Sequence, residues 1–268
     1  MVLPGPLVDG HWLAAHRHQV RIVDVRWYLD GRSGREAYLR GHVPGAVRLD
    51  IDTELSAPAS RDAGRHPLPD PGDFAAALGS AGIAAGTPVV AYDDLGGSVA
   101  ARLWWLLHVL GEPAAVLDGG IDAWPGELVP GSVDVEPVSR EPRPWPGDRF
   151  VTAAELAAAQ DAIVYDARTA DRFAHGGPID PRPGHIPGAH SAPWAANLGS
   201  DGRFRPPEEL RERFAGAAGR PAIAYCGSGV TACHDLLALE VAGMHDTALY
   251  PGSWSQWGAD ESLPAETG

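Results

Sequence analysis

The feature that most constrains this chain is that it contains itself twice. Ile22-Val-Asp-Val-Arg26 is matched by Val164-Tyr-Asp-Ala-Arg168, each an apolar stretch ending in Asp-x-Arg. Gly41-His-Val-Pro-Gly-Ala46 returns as Gly184-His-Ile-Pro-Gly-Ala189, 143 positions later (184 less 41). Val89-Val-Ala-Tyr92 returns as Ala222-Ile-Ala-Tyr225, and Trp124 as Trp257, both 133 positions on. Matches kept in order at nearly constant offset are the signature of duplicated domains. The 268 residues are long enough for two domains of ordinary size.

Composition marks the join. Between residues 125 and 150 stand Pro125, Pro130, Pro137, Pro142, Pro144 and Pro146, interleaved with Gly126, Gly131 and Gly147. Proline lacks the N–H that a helix interior or a central strand needs, so this stretch reads as an extended linker. The expected division is a first domain over 1–124, a linker over 125–150 and a second domain over 151–268. Thr152-Ala-Ala-Glu155 has capping-box spacing and predicts the helix that opens the second domain.

Within each half, short β-branched runs alternate with Ala- and Leu-rich stretches. Strands are predicted at 20–25, 47–49, 88–92 and 114–117, then at 162–165, 222–225 and 247–249. Helices are predicted at 74–78 and 99–110, then at 156–159, 210–218 and 231–242. That alternation predicts an α/β fold, each domain a mainly parallel sheet covered by helices. Sites in such sheets form beyond the C-terminal ends of the strands.

One residue occupies such an end with a nucleophile. In Ala222-Ile-Ala-Tyr-Cys-Gly-Ser-Gly-Val-Thr, Cys226 follows an apolar strand and precedes a predicted helix. Unpaired N–H groups and the helix dipole favour an anion there, and a thiol so placed tends to react as thiolate. The first half has Asp93 at the equivalent place, within Asp93-Asp-Leu-Gly-Gly97, so the chemistry is expected of the second half alone. The other cysteine, Cys233, falls inside the predicted helix and reads as core. His42, His185, Asp24 and Asp166 recur in both halves and read as braces of a shared turn.

The totals exclude other classes. A net charge of -14 argues against a nucleic-acid partner, which needs a basic footprint. No run of about 18 apolar residues predicts a membrane span. The N-terminal stretch lacks the basic and apolar regions of a secretory signal, and two cysteines make no disulfide framework. A reduced, cytoplasmic protein is expected. No metal-ligand spacing is visible, and neither metal nor organic cofactor is expected.

Taken together, the Asp-x-Arg strands, Gly-His-Ile-Pro-Gly-Ala, the Cys226 loop and Gly252-Ser-Trp-Ser-Gln-Trp-Gly258 resemble the tandem-domain rhodanese sulfurtransferases over nearly the whole chain. The resemblance implies two rhodanese-like domains, the first inactive and the second carrying a persulfide-forming cysteine. Thiosulfate-preferring members place two cations after the cysteine, where this chain has Gly227 and Ser228. Cys-Gly-Ser-Gly-Val-Thr is similar to the loop of the family's mercaptopyruvate-using branch. The resemblance further implies a relay of Ser228 with His66 and Asp52, the last two offered by the first domain across a shared cleft. It also implies donor binding by Arg172, with Arg182 the nearest match for a second arginine in a shortened insertion. The N–H groups of Gly227, Gly229, Val230 and Thr231 would hold the sulfur. A small-molecule donor and a thiol acceptor, either a small thiol or a thioredoxin-like protein, or cyanide, complete the expected reaction.

Two readings from other classes compete. Rhodanese-type domains resemble dual-specificity phosphatases, but these need an arginine six positions after the cysteine, where Ala232 stands. A non-catalytic sulfur carrier is the other, and thiosulfate is the alternative donor.

Overall fold

The computed structural model describes residues 2–268. Cα packing divides it into two compact units. The first takes residues up to Ala57, Pro69–Trp145 and Ser200–Arg203; the second takes Pro58–Leu68, Pro146–Gly199 and Phe204–Gly268. Residues 58–68 therefore pack with the later half, although they lie in the earlier repeat.

The first unit holds β1 (Leu7–Val8), α1 (Gly10–His16), β2 (Arg21–Asp24), α2 (Gly34–Arg40), β3 (Val47–Arg48), α3 (Pro71–Ser80), β4 (Val89–Tyr92), α4 (Ala100–His108) and β5 (Ala114–Leu117). Its five strands are ordered β1-β5-β4-β2-β3, and every pairing is parallel. The second unit holds α5 (Ala153–Ala158), β6 (Ile163–Asp166), α6 (Ala170–His175), β7 (His190–Ser191), α7 (Pro207–Arg213), β8 (Ala222–Tyr225), α8 (Ala232–Val241), β9 (Thr247–Leu249) and α9 (Ser253–Trp257). Its strands run β7-β6-β8-β9, again all parallel. The expected α/β architecture is present twice. The registers coincide as well: Asp24 lies beside Tyr92, and Asp166 beside Tyr225. At the β9 edge Phe150 makes a parallel bridge to Leu249, the place β1 takes beside β5 in the other unit.

The central strands β4 and β8 are buried at all four positions. Their apolar runs therefore show no alternation, as expected of a parallel sheet covered on both faces. The predicted helix at 210–218 is split: α7 stops at Arg213 and a 3-10 turn follows over Ala215–Ala217, where Gly216 approaches Ile163. Helices α1, α2 and α6 are absent from the pattern reading because they are short and bury few apolar side chains, none in α6. Caps hold them instead, with Asp9, Ser33 and Thr169 accepting from Trp12, Glu36 and Arg172 N–H. The capping box of Thr152 and Glu155 forms as read.

The repeated motifs make one device, built twice. Arg26 lies along Asp24 (Nε to Oδ2 2.9 Å, Nη2 to Oδ2 2.6 Å) and donates to Gly41 O at 2.7 Å. Arg168 does the same with Asp166 (3.0 and 2.7 Å) and Gly184 O at 2.9 Å. Each pair thus ties a strand end to the Gly-His turn. The turn is also gripped by a tyrosine hydroxyl from the central strand, Tyr92 accepting from Val43 N–H and Tyr225 from Ile186 N–H. His42 stacks on Tyr38 and His185 on Phe173, each with Nδ1 on that residue's carbonyl. Among the described residues no helix is long and apolar enough to cross a membrane.

Both arginine–aspartate pairs are buried, so removing one partner strands a charge away from water. Asp24→Ala should cost about 3–5 kcal/mol of stability, measured by denaturant unfolding. A loss below about 1 kcal/mol would show that the pair does not hold the turn.

Candidate active site

Strand β8 ends at Tyr225, and Cys226 begins the loop that leads into α8. The backbone of that loop is clamped by the turn before α9. Trp254 N–H donates to Cys226 O at 2.9 Å, and Ser255 N–H to Gly227 O at 3.0 Å. Cys226 N–H donates to Ser253 Oγ at 3.1 Å, while that hydroxyl donates to Tyr250 O at 3.0 Å. Ser253 holds a φ of 53°, a left-handed conformation uncommon for a side-chain-bearing residue. The paired hydrogen bonds of its hydroxyl offset that cost. Gly252-Ser-Trp-Ser is therefore the brace of the cysteine loop.

Cys226 is 2% exposed, and its Sγ accepts from Gly229 N–H at 3.1 Å and Ser228 N–H at 3.4 Å. Gly229 sits at φ 82°, and a Cβ there would meet Pro251 O at 2.7 Å, so only glycine turns the loop this way. Val230 and Thr231 carry the chain into α8, their carbonyls accepting from Cys233 and His234 N–H, both at 3.1 Å. The sulfur thus lies in a cradle of backbone donors.

The equivalent cradle in the first unit is filled from within. Asp93 is fully buried, with Oδ1 accepting from Leu95 and Gly97 N–H and Oδ2 from Val99 and Ala100 N–H, all at 2.8 Å. Burial raises its pKa, and the four N–H donors pull against that rise. The loop architecture therefore binds an anion, and the first unit supplies its own.

Segment 58–68 brings further side chains to the Cys226 loop. It is stapled to the α9 region by Arg65 N–H on Ser255 Oγ at 3.0 Å, Gln256 Nε2 on Asp62 O at 2.5 Å and Arg61 Nη2 on Ala259 O at 2.9 Å. Gly64, at φ 90°, lets this segment pass close to Gly252 O. His66 is thereby buried with Nδ1 2.8 Å from Ser228 Oγ. Which of the two donates depends on the histidine tautomer.

The expected cation is also close. Arg172 forms a forked pair with Asp180, Nε to Oδ2 at 2.9 Å and Nη2 to Oδ1 at 2.5 Å. Arg168 lies 3.6 Å from the same carboxylate and faces the Trp254 ring at 4.9 Å. The Arg182 guanidinium is held elsewhere. It donates to Leu263 O at 2.7 Å and Asp260 O at 3.3 Å, and faces Trp254 at 5.8 Å. Its own carbonyl accepts from Trp254 Nε1. Asp52 belongs to the first unit, where it accepts from Trp27 Nε1 at 2.8 Å. Trp254 is fully buried, and Cys233 is a core thiol donating to Gly229 O at 3.4 Å.

Arg65 has no counterpart in the sequence reading. Its Nη1 donates to Ile179 O at 2.8 Å, and burial lowers its pKa, opposed first by the Cys226 charge. The only signal for it in the sequence is adjacency to His66.

A family model described as "Rhodanese-like domain" matches this chain twice, over residues 9–127 and 152–260. A Pseudomonas aeruginosa protein provisionally named 3-mercaptopyruvate sulfurtransferase is 45% identical, over 98% of both chains. A Mycobacterium tuberculosis protein provisionally named thiosulfate sulfurtransferase is 38% identical over 93% of this chain and 91% of its own. Among solved structures, the 3-mercaptopyruvate sulfurtransferase of Leishmania major superposes with a TM-score of 0.85 at 34% identity, covering 96% of this chain and 75% of that one. With its duplicated parallel sheets and one cysteine-bearing loop, the chain belongs to the rhodanese family and is a tandem-domain sulfurtransferase.

Proposed function

We propose that the enzyme moves sulfur from 3-mercaptopyruvate to a thiol or cyanide through a persulfide on Cys226, the second unit carrying the reaction and the first being a non-catalytic copy. The observation that carries this reading is the Ser228–His66 hydrogen bond beside the Cys226 sulfur, which accepts from the Ser228 and Gly229 N–H groups. A hydroxyl and a histidine beside the sulfur offer a proton path to a carbanionic leaving group.

The Cys226 thiolate attacks the donor's sulfur, forming an S–S bond as the C–S bond breaks. The bonding pair stays on carbon as the pyruvate enolate. The proton from the donor's thiol reaches that carbon through Ser228 and His66, leaving pyruvate and a Cys226 persulfide anion. The charge on the outer sulfur falls to the N–H groups of Gly227, Ser228, Gly229, Val230 and Thr231, in the manner of the N–H groups that hold the Asp93 carboxylate. An acceptor thiolate then takes the outer sulfur and returns the Cys226 thiolate; cyanide leaves as thiocyanate by the same step. The family resemblance adds Asp52 to the relay as a carboxylate that orients histidine, and Arg172 as the donor's cation. Arg182, bonded to backbone carbonyls, acts in this reading as a support for Trp254.

Incubation with 3-mercaptopyruvate should add one sulfur to the intact mass, removable by a thiol and absent in Cys226→Ser. No gain on the wild type would sink the mechanism, and a gain from thiosulfate alone would overturn the choice of donor.

The relay makes a sharper claim. Sulfite leaves thiosulfate as a stable anion, whereas the enolate of pyruvate needs a proton at carbon. Ser228→Ala should therefore lower kcat/KM for 3-mercaptopyruvate relative to thiosulfate by about 10²-fold or more. An unchanged ratio would exclude Ser228 from proton transfer.

A further inference from the structure

Each member of the Ser228–His66 pair is preceded in the chain by a residue bonded to Ser255. Ser228 follows Gly227, whose carbonyl accepts from Ser255 N–H at 3.0 Å. His66 follows Arg65, whose N–H donates to Ser255 Oγ at 3.0 Å. The main chain of Ser255 thus holds the cysteine loop just before the hydroxyl. Its side chain holds segment 58–68 just before the imidazole, and the two groups meet at 2.8 Å.

The directions of the Ser255 hydroxyl are fixed. The Arg65 N–H can only donate, so Oγ accepts there, and its own proton goes to Gly252 O at 3.0 Å. Ser255 is buried, and Gly64 packs against it at φ 90°. A Cβ on Gly64 would lie 2.9 Å from Ser255 Oγ and 2.6 Å from Gly252 O. On the segment's side, Ser60 and Gly64 exchange backbone hydrogen bonds at 3.0 and 2.9 Å, which closes residues 60–64 into a turn. Pro67 follows His66 and disfavours helical backbone at the histidine. Residue 65 is the joint between that closed turn and the stiff His-Pro dipeptide, and it is where Ser255 bonds. The tethers made by Arg61 to Ala259 O and by Gln256 to Asp62 O act on the turn, not on the joint.

The first unit offers a comparison. There Ile121 N–H donates to Asp93 O at 2.8 Å, as Trp254 N–H does to Cys226 O at 2.9 Å. The residue after that donor is an exposed Asp122 in the first unit and a buried Ser255 in the second. The copy without a thiol keeps the clamp on the loop's first carbonyl and lacks the hydroxyl.

We propose that Ser255 is a positioning residue for the proton relay: its hydroxyl sets the register of segment 58–68 so that the His66 imidazole meets Ser228 Oγ. The proposal rests on the reading of Ser228 and His66 as that relay. Ser255 acts through these two residues and does not itself carry the proton.

Ser255→Ala removes the hydroxyl and keeps the main-chain bond to Gly227. It should lower kcat for 3-mercaptopyruvate by about 10-fold more than kcat for thiosulfate, because a misplaced proton-transfer group costs rate on the donor that needs the proton. The loss should fall on kcat rather than KM. Gly64→Ala reaches the same joint from the other side, its methyl pressing on Ser255 Oγ, and should give the same selective loss. In a Ser228→Ala background the relay is already broken, so adding Ser255→Ala should cost less than about twofold further on 3-mercaptopyruvate.

Diethyl pyrocarbonate reads the placement of His66 without turnover. It acylates accessible imidazoles, and His66, His42 and His185 are all buried. Ser255→Ala should speed acylation of His66, followed by peptide mass, and leave His42 and His185 as slow as in the wild type. An unchanged His66 rate, a rise at all three histidines, equal losses on both donors, or a full loss in the Ser228→Ala background would each overturn the positioning role. Selective exposure of His66 in Ser255→Ala, with an unchanged donor ratio in Ser228→Ala, would leave the placement of His66 by Ser255 standing and sink the relay reading instead.

Discussion

The active loop depends on a backbone clamp. Cys226 and Gly227 surrender both carbonyls to Trp254 and Ser255 N–H, and Cys226 N–H is taken by Ser253 Oγ. These bonds leave the following N–H groups of the loop aimed at the sulfur rather than at the protein's own carbonyls. Ser253 accepts a strained φ to make this possible, and Gly229 and Gly227 stay bare so that Pro251 and two arginines can approach. An anion site made of N–H groups costs little to preorganise once the loop is held from behind.

The duplicated domain shows the same loop with a carboxylate in place of the thiol. Asp93 reaches back into its own loop and satisfies four N–H groups, so the first unit is a closed version of the same cradle. A cysteine is shorter and carries one polar atom. Its Sγ accepts from two of the loop's N–H groups, where the Asp93 carboxylate accepts from four. The buried Asp-x-Arg pairs, by contrast, are alike in both copies, down to the glycine carbonyl each arginine holds. The buried pairs are shared by the two units, and the residue that opens the loop, Asp93 in one and Cys226 in the other, is what differs.

Much of the architecture was legible in the residues. Apolar runs in β4 and β8 and the capping box at Thr152 each express a local rule, and the repeat allowed one half to check the other. Helix α6 was not legible, since it buries no side chain and therefore has no apolar stripe. The site divided in the same way. Cys226 and Ser228 stand two positions apart in a recognisable loop, and His66 lies in a matching motif. Arg65 carries no motif, and Arg182, chosen for its nearness to the Gly-His turn, points its guanidinium at the carbonyls of Asp260 and Leu263.

The sequence by itself determined that there are two parallel α/β units, that a thiol stands at a strand-to-helix turn in only one of them, and that a hydroxyl follows it. These follow from local patterns, because strand burial, helix starts and turn residues are written in neighbouring positions. Only the tertiary structure decided which charged groups face that thiol. Arg65 lies 161 positions before Cys226 (226 less 65), and the Ser255 hydroxyl and the Ile179 carbonyl set where its guanidinium goes. A long flexible side chain takes its direction from distant partners, and that direction has no period or spacing to read.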